Sequence, residues 1–202
     1  MDANALKKWK ELKGDSTYRL NYDLNVNSVV FDVGGYQGWF TDQIYNKYKC
    51  NVYVFEPVLP YYEKIKQMFK GNNKVKVFPF GLSYKNNKLD IIINADSTSA
   101  YRSKKEGAKT TIELKNFNQF LQENKIEKID LLKLNIEGEE FPLLDSIIKT
   151  GDINKINNIQ VQFHRWIDNS IKLRSDIQNR LKSTHKQDWN FEFVWENWSK
   201  NN

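Results

Sequence analysis

Val30-Phe31-Asp32-Val33-Gly34-Gly35-Tyr36-Gln37-Gly38 is the stretch that decides the fold. An apolar run beginning at Ser28 and Val29 stops at three glycines within five residues. Short, apolar and unbroken, the run has the pattern of a strand buried on both faces of a parallel sheet. Glycine lets the backbone turn tightly and approach a ligand closely. From about Trp39 to Tyr48 the sequence reads as a helix, whose first N–H groups suit an anion. Strand, glycine turn and helix together open a doubly wound α/β fold.

Working outward, the same unit recurs. Val52–Phe55 and Val75–Phe78 read as further buried strands, with a helix over Tyr61–Lys70 between them, closed at Gly71. Leu82–Tyr84 and Leu89–Ile93, around Lys85-Asn86-Asn87-Lys88, predict a small hairpin inserted after the third strand. A polar loop from Ala95 to Lys109 follows, then a helix over Lys115–Asn124. Ile129–Asn135 and Ile159–Phe163 are the fourth and fifth main strands, separated by a helix over Glu139–Thr150. Ser170–Ser183 is a long helix, and Phe191, Phe193 and Trp195 alternate as one final strand. Regular alternation of strand and helix predicts a mostly parallel, Rossmann-like sheet with helices on both faces. Residues 1–202 are expected to form one domain, with 1–26 a helical lead-in carrying Leu6, Trp9 and Leu12 on one side.

Composition agrees: 40% hydrophobic and 28% charged residues describe an ordinary soluble globular chain. No apolar run approaches the roughly 20 residues that span a bilayer. Cys50 is the single cysteine, which excludes a disulfide framework and a cysteine-based metal site and points to a reducing, cytoplasmic setting. The net charge of +6 favours acidic partners, yet the lysines are spread along the chain in short clusters such as Lys7-Lys8 and Lys104-Lys105.

In open α/β sheets, ligands bind beyond the carboxyl ends of the strands. After the first strand stand Gly34, Gly35, Tyr36 and Gly38, with Asp32 just before them. A negative charge there repels a phosphate and attracts a ligand bearing ammonium and sulfonium groups, which is the chemistry of S-adenosylmethionine. After the second strand come Glu56 and Pro57, 22 and 23 residues beyond Gly34. A carboxylate in that place suits ribose hydroxyls, in nicotinamide enzymes as well. Gly81 and Leu82 follow the third strand and are candidates for the adenine pocket.

The fourth and fifth strands end in Asn135-Ile136-Glu137-Gly138-Glu139 and His164-Arg165-Trp166. Methyl transfer to a hydroxyl needs donor and acceptor held close and a group to take the proton. His164 is the natural base, because its unperturbed pKa lies near neutrality. Glu137 could orient His164, act as base, or cap the next helix. Lys133 could steady a developing alkoxide if it reaches the site, and Asn135 could simply shape the loop. Asn135, Glu137 and His164 together could also ligate a divalent cation.

These segments resemble the FkbM-type methyltransferase family over about Val29–Trp198. Val30–Gly34 with Gly38, Val54-Phe55-Glu56-Pro57, Ile129–Glu139, Gln162-Phe163-His164 and Trp195-Glu196-Asn197-Trp198 carry the resemblance. It implies S-adenosylmethionine as donor, contacts to it from Asp32, Gly34, Gly38 and Glu56, and a hydroxyl acceptor, often on a sugar or polyketide. Many members have Ala-Asn where Gly35-Tyr36 stand here, which changes one wall of the donor pocket. Many have Asp in place of Asn135, which here weakens a metal site and moves the base role to His164.

Trp166, Arg165 and Tyr101 are the candidate acceptor-binding residues, with Trp189 and Trp198 as further aromatics near strand ends. Aromatic rings stack on apolar sugar faces. Two other readings compete: a nucleic-acid methyltransferase, suggested by the charge, and a donor-binding module without turnover in a glycan-building system. The fourth strand ends in Asn-Ile-Glu-Gly rather than the Asn-Pro-Pro-aromatic pattern of base amino-group methylation, which argues against nucleic acid.

Overall fold

The computed structural model describes residues 3–94, 97–99 and 108–201. Five parallel strands and an antiparallel pair build one seven-stranded sheet. The strands are β1 (Val29–Val33), β2 (Asn51–Phe55), β3 (Val75–Phe78), β8 (Leu131–Leu134), β9 (Asn158–Val161), β10 (His185–Phe191) and β11 (Trp195–Lys200). Their order across the sheet is β10-β11-β9-β8-β1-β2-β3. β1, β2, β3, β8 and β9 run parallel, and β11 lies antiparallel between β9 and β10. The order reverses between β1 and β8, the place where open α/β sheets bind ligands.

Alternation along the strands feeds two cores. Phe31, Phe55, Leu132 and Leu134 pack on α5 (Phe117–Glu123) and α6 (Glu140–Thr150), where Phe120, Leu144 and Ile147 wait for them. Val30, Val52, Val54 and Leu131 face α3 (Trp39–Tyr48) and α4 (Leu59–Met68) through Phe40, Ile44 and Ile65. The lead-in forms α1 (Ala3–Glu11) and α2 (Gly14–Thr17). Trp9 is buried among Tyr18, Trp189 and Phe191, whereas Leu12 is exposed. The Arg19 guanidinium sits 4.0 Å from the Trp195 ring and donates to Gln160, tying the lead-in to the sheet.

Two expectations change. The insertion after β3 is larger than a hairpin: β4 (Gly81–Ser83), β5 (Asn87–Asn94), β6 (Ser97–Ser99) and β7 (Ala108–Asn116) form a second sheet in the order β4-β7-β5-β6. Leu82–Ser83 and Leu89–Ile93 are not partners; each pairs with β7, which runs between them. β7 takes the residues expected to begin a helix, which starts at Phe117, where Asn116 caps it through the Gln119 N–H. The final strand is two strands: β10 and β11 meet in a tight turn where Phe193 adopts φ 53°. Phe191 and Trp195 therefore face each other across the ladder rather than continuing along it. After β9 comes α7 (Ser170–Leu181).

Candidate functional site

The glycine turn is built by close approach. Gly34 has φ +87°, and a Cβ there would lie 2.1 Å from the Asn135 carbonyl oxygen. Only glycine lets the ends of β1 and β8 come this near. Gly35 is required by packing instead, since its Cβ would meet Val54 and Ile65. Gly38, at φ +86°, starts α3. Tyr36 takes φ 51° and is partly exposed, its ring set edge-on to Tyr61 at 4.7 Å.

Glu56 clasps this turn to the end of β2. One carboxylate oxygen accepts the Tyr36 N–H at 2.7 Å and the other the Val58 N–H at 2.9 Å. Burial pushes its carboxyl up to about 7, against the pull of those two N–H groups and of Lys133. Pro57 is half-buried and backs onto Gly81.

Asp32 lies beneath the glycine turn. It is fully buried on the α3 side of the sheet, with one oxygen 2.8 Å from Lys133 Nζ and the other accepting the Thr41 hydroxyl at 2.7 Å. Its charge is matched inside the protein by Lys133. The Lys133 ammonium also donates to the Gly34 carbonyl at 2.6 Å, so it supports the turn from below. The Leu82 side chain is buried in the main core, and Gly81 packs against Leu114.

Beyond β8, the chain turns sharply through Glu137 (φ 56°) and Gly138 (φ +118°). The side-chain oxygen of Asn135 is buried with no hydrogen-bond partner among the described residues. A buried acceptor left so costs about 1–3 kcal/mol, which fits a place that a ligand's N–H or O–H completes.

His164, just past β9, is 3% exposed. Its Nδ1 lies 2.7 Å from Glu140 Oε1, and its Nε2 lies 3.6 Å from Glu137 Oε1. Trp166 covers it, with ring centres 4.4 Å apart and the indole still 38% exposed. Arg165 is exposed, its guanidinium 5.0 Å from the Phe193 ring. Trp198 is core and Trp189 belongs to the lead-in cluster. Tyr101 and most of the Ala95–Lys109 loop lie outside the described residues.

Sequence reasoning missed Glu140. It is fully buried at the first turn of α6 and accepts the His164 backbone N–H and the Gly138 N–H, each at 2.9 Å, besides facing Nδ1. Adjacent acidic residues at a helix start were the available signal, but they read first as dipole partners. Among the described residues no three His, Cys, Asp or Glu side chains cluster as a metal site would need.

The comparisons with known proteins agree with this fold. No curated protein matches the sequence. An rRNA methylase of Streptococcus thermophilus superposes with TM-score 0.53 at 13% identity, covering 95% of each chain. A Clostridium thermocellum protein described as an rRNA methylase gives TM-score 0.58 at 9% identity, covering 95% of this chain and 96% of that one. A Streptococcus mutans protein described as a methyltransferase, in complex with SAH, gives 0.52 at 12% identity, covering 95% and 97%. At such identities the likeness is one of fold. Residues 32–193 match the model of the methyltransferase FkbM domain, and the chain belongs to that family.

Proposed function

We propose that this methyltransferase transfers the methyl group of S-adenosylmethionine to a hydroxyl, and that the hydroxyl is carried by a sugar. The reading rests on one observation: a buried histidine whose Nδ1 is engaged by Glu140 while Nε2 lies on the Glu137 side, beneath an exposed tryptophan.

When bound, S-adenosylmethionine supplies an electrophilic methyl group. Gly34–Gly38, Tyr36 and Glu56 are the residues to hold it, Glu56 toward the ribose hydroxyls and the α3 N-terminus toward its carboxylate. The unpartnered Asn135 oxygen supports this fit, as an acceptor for an ammonium or hydroxyl proton. At the acceptor, His164 Nε2 would take the hydroxyl proton as the bound donor gives its methyl group to the oxygen and leaves as the thioether. Glu140 and Glu137 would face the imidazolium that results. Trp166 offers an apolar platform beside the base, which suits the face of a sugar ring.

The test is calorimetric binding of S-adenosylhomocysteine followed by mass spectrometry of a saccharide library incubated with the donor. Methylated saccharide is expected, with turnover lost in His164→Ala and product binding kept. Donor binding without turnover on any acceptor would favour a binding module. The net charge of +6 supports nucleic acid as the competing acceptor. Methylation of RNA, with affinity falling steeply as salt rises, would decide for it.

A further inference from the structure

We propose that Glu140 is the positioning residue of this site: it holds His164 in the Nδ1-protonated form and so leaves Nε2 unprotonated to accept the substrate's proton. The proposal rests on the base role given to His164 above.

The argument is one of donors and acceptors. The His164 backbone N–H can only donate, and it donates to Glu140 Oε1 at 2.9 Å. That same oxygen is 2.7 Å from Nδ1. A proton on Nδ1 makes this contact a second donated hydrogen bond. A lone pair there would face an oxygen lone pair at 2.7 Å, which is repulsive. The other Glu140 oxygen is occupied by the Gly138 N–H at 2.9 Å, so the carboxylate cannot rotate away without orphaning a buried donor. At Nε2 the nearest carboxylate oxygen, on Glu137, is 3.6 Å away, beyond hydrogen-bond range, and does not compete for the proton. The Trp166 ring limits rotation of the imidazole from the other side.

The second histidine supplies an internal contrast. His185 Nε2 lies 3.0 Å from the Ile156 carbonyl oxygen, which can only accept, and its Nδ1 lies 2.8 Å from the Thr184 hydroxyl. His185 is therefore protonated on Nε2, the opposite tautomer. The chain has only these two histidines.

The experiment is a two-bond ¹H–¹⁵N spectrum of the imidazole rings of the full chain at neutral pH, with His164→Asn to assign the peaks. Wild-type protein is expected to show one ring protonated on Nδ1, lost in His164→Asn, and one protonated on Nε2. In Glu140→Gln, the amide cannot accept from all three N–H groups, so the His164 ring is expected to shift toward the Nε2-protonated form. The acid limb of the pH–rate profile should move to lower pH, because the carboxylate no longer stabilises imidazolium. Turnover should fall by about a hundredfold while S-adenosylhomocysteine affinity changes by less than about threefold. An Nε2-protonated His164 in the wild type overturns the proposal, even where Glu140→Gln does not fold. So does a Glu140→Gln protein with unchanged tautomer and unchanged acid limb. Full activity in His164→Ala would instead remove the base assignment and leave the tautomer finding standing.

Discussion

Lys133 Nζ lies 2.8 Å from Asp32 Oδ1, with both side chains buried beneath the glycine turn. The two residues are direct neighbours in the ladder between β1 and β8, on the face that packs against α3. Burial, helped by the Arg19 charge, pulls the Lys133 pKa down, and Asp32 is the main force opposing it. Removing one partner of such a pair strands the other charge without solvent. Lys133→Met is therefore expected to destabilise the protein by about 3–5 kcal/mol, read by urea unfolding. The double change Asp32→Asn with Lys133→Met should recover much of that loss. A Lys133→Met loss near zero would mean the pair does not hold the turn.

Gly34→Ala tests the approach of the two strand ends. The new methyl would fall 2.1 Å from the Asn135 carbonyl at a backbone φ of +87°. Backbone strain of about 1–3 kcal/mol is expected, with loss of donor binding, since the turn must open to fit the methyl. Titration with S-adenosylhomocysteine checks it, and wild-type affinity in a folded Gly34→Ala protein contradicts it.

Glu56 is expected to set the pH dependence of donor binding. Its folded carboxyl is pushed up to about 7, above the about 4.3 of an unfolded glutamate. Between those values the folded state holds the extra proton. Glu56 therefore lowers stability as pH rises through that window, and the full cost stands above pH 7. Donor affinity runs the other way, because the ribose hydroxyls need an ionised acceptor. S-adenosylhomocysteine should bind about tenfold more weakly at pH 6 than at pH 8. Glu56→Gln should flatten that dependence while weakening binding at every pH.

Replacing Trp166 is expected to separate acceptor recognition from chemistry. Its ring covers His164 yet keeps 38% of its surface exposed. Trp166→Ala is expected to raise the acceptor KM by about tenfold, the scale of one lost stacking contact, with donor affinity unchanged. A fall in kcat alone would assign Trp166 to holding the imidazole instead.

Much of the fold was legible. α3 and β3 begin and end where the hydrophobic pattern and the glycines place them. Buried parallel strands are short apolar runs, and few other structures accept such runs. The second sheet was not legible. β4 and β5 are close in sequence, which favours a hairpin, but both pair with β7, 33 residues on from β4 and 15 to 27 on from β5, and no local signal encodes that partnership. Phe193 at φ 53° hid a turn inside an alternating run.

The site divides the same way. The residue types at the strand ends follow from the sequence, because glycines, Glu56, Asn135, Glu137 and His164 stand where a doubly wound sheet presents its ligands. Which of them face one another was decided only by the tertiary structure. Register across the β1–β8 ladder turned Asp32 and Lys133 toward each other on the α3 face of the sheet. The tight turn at Glu137 and Gly138 swung Glu140, not Glu137, onto His164 Nδ1. Side-chain partners depend on distances of a few ångströms between elements far apart in the chain. The amino-acid sequence therefore named the chemistry available at the strand ends, and packing chose the pairs.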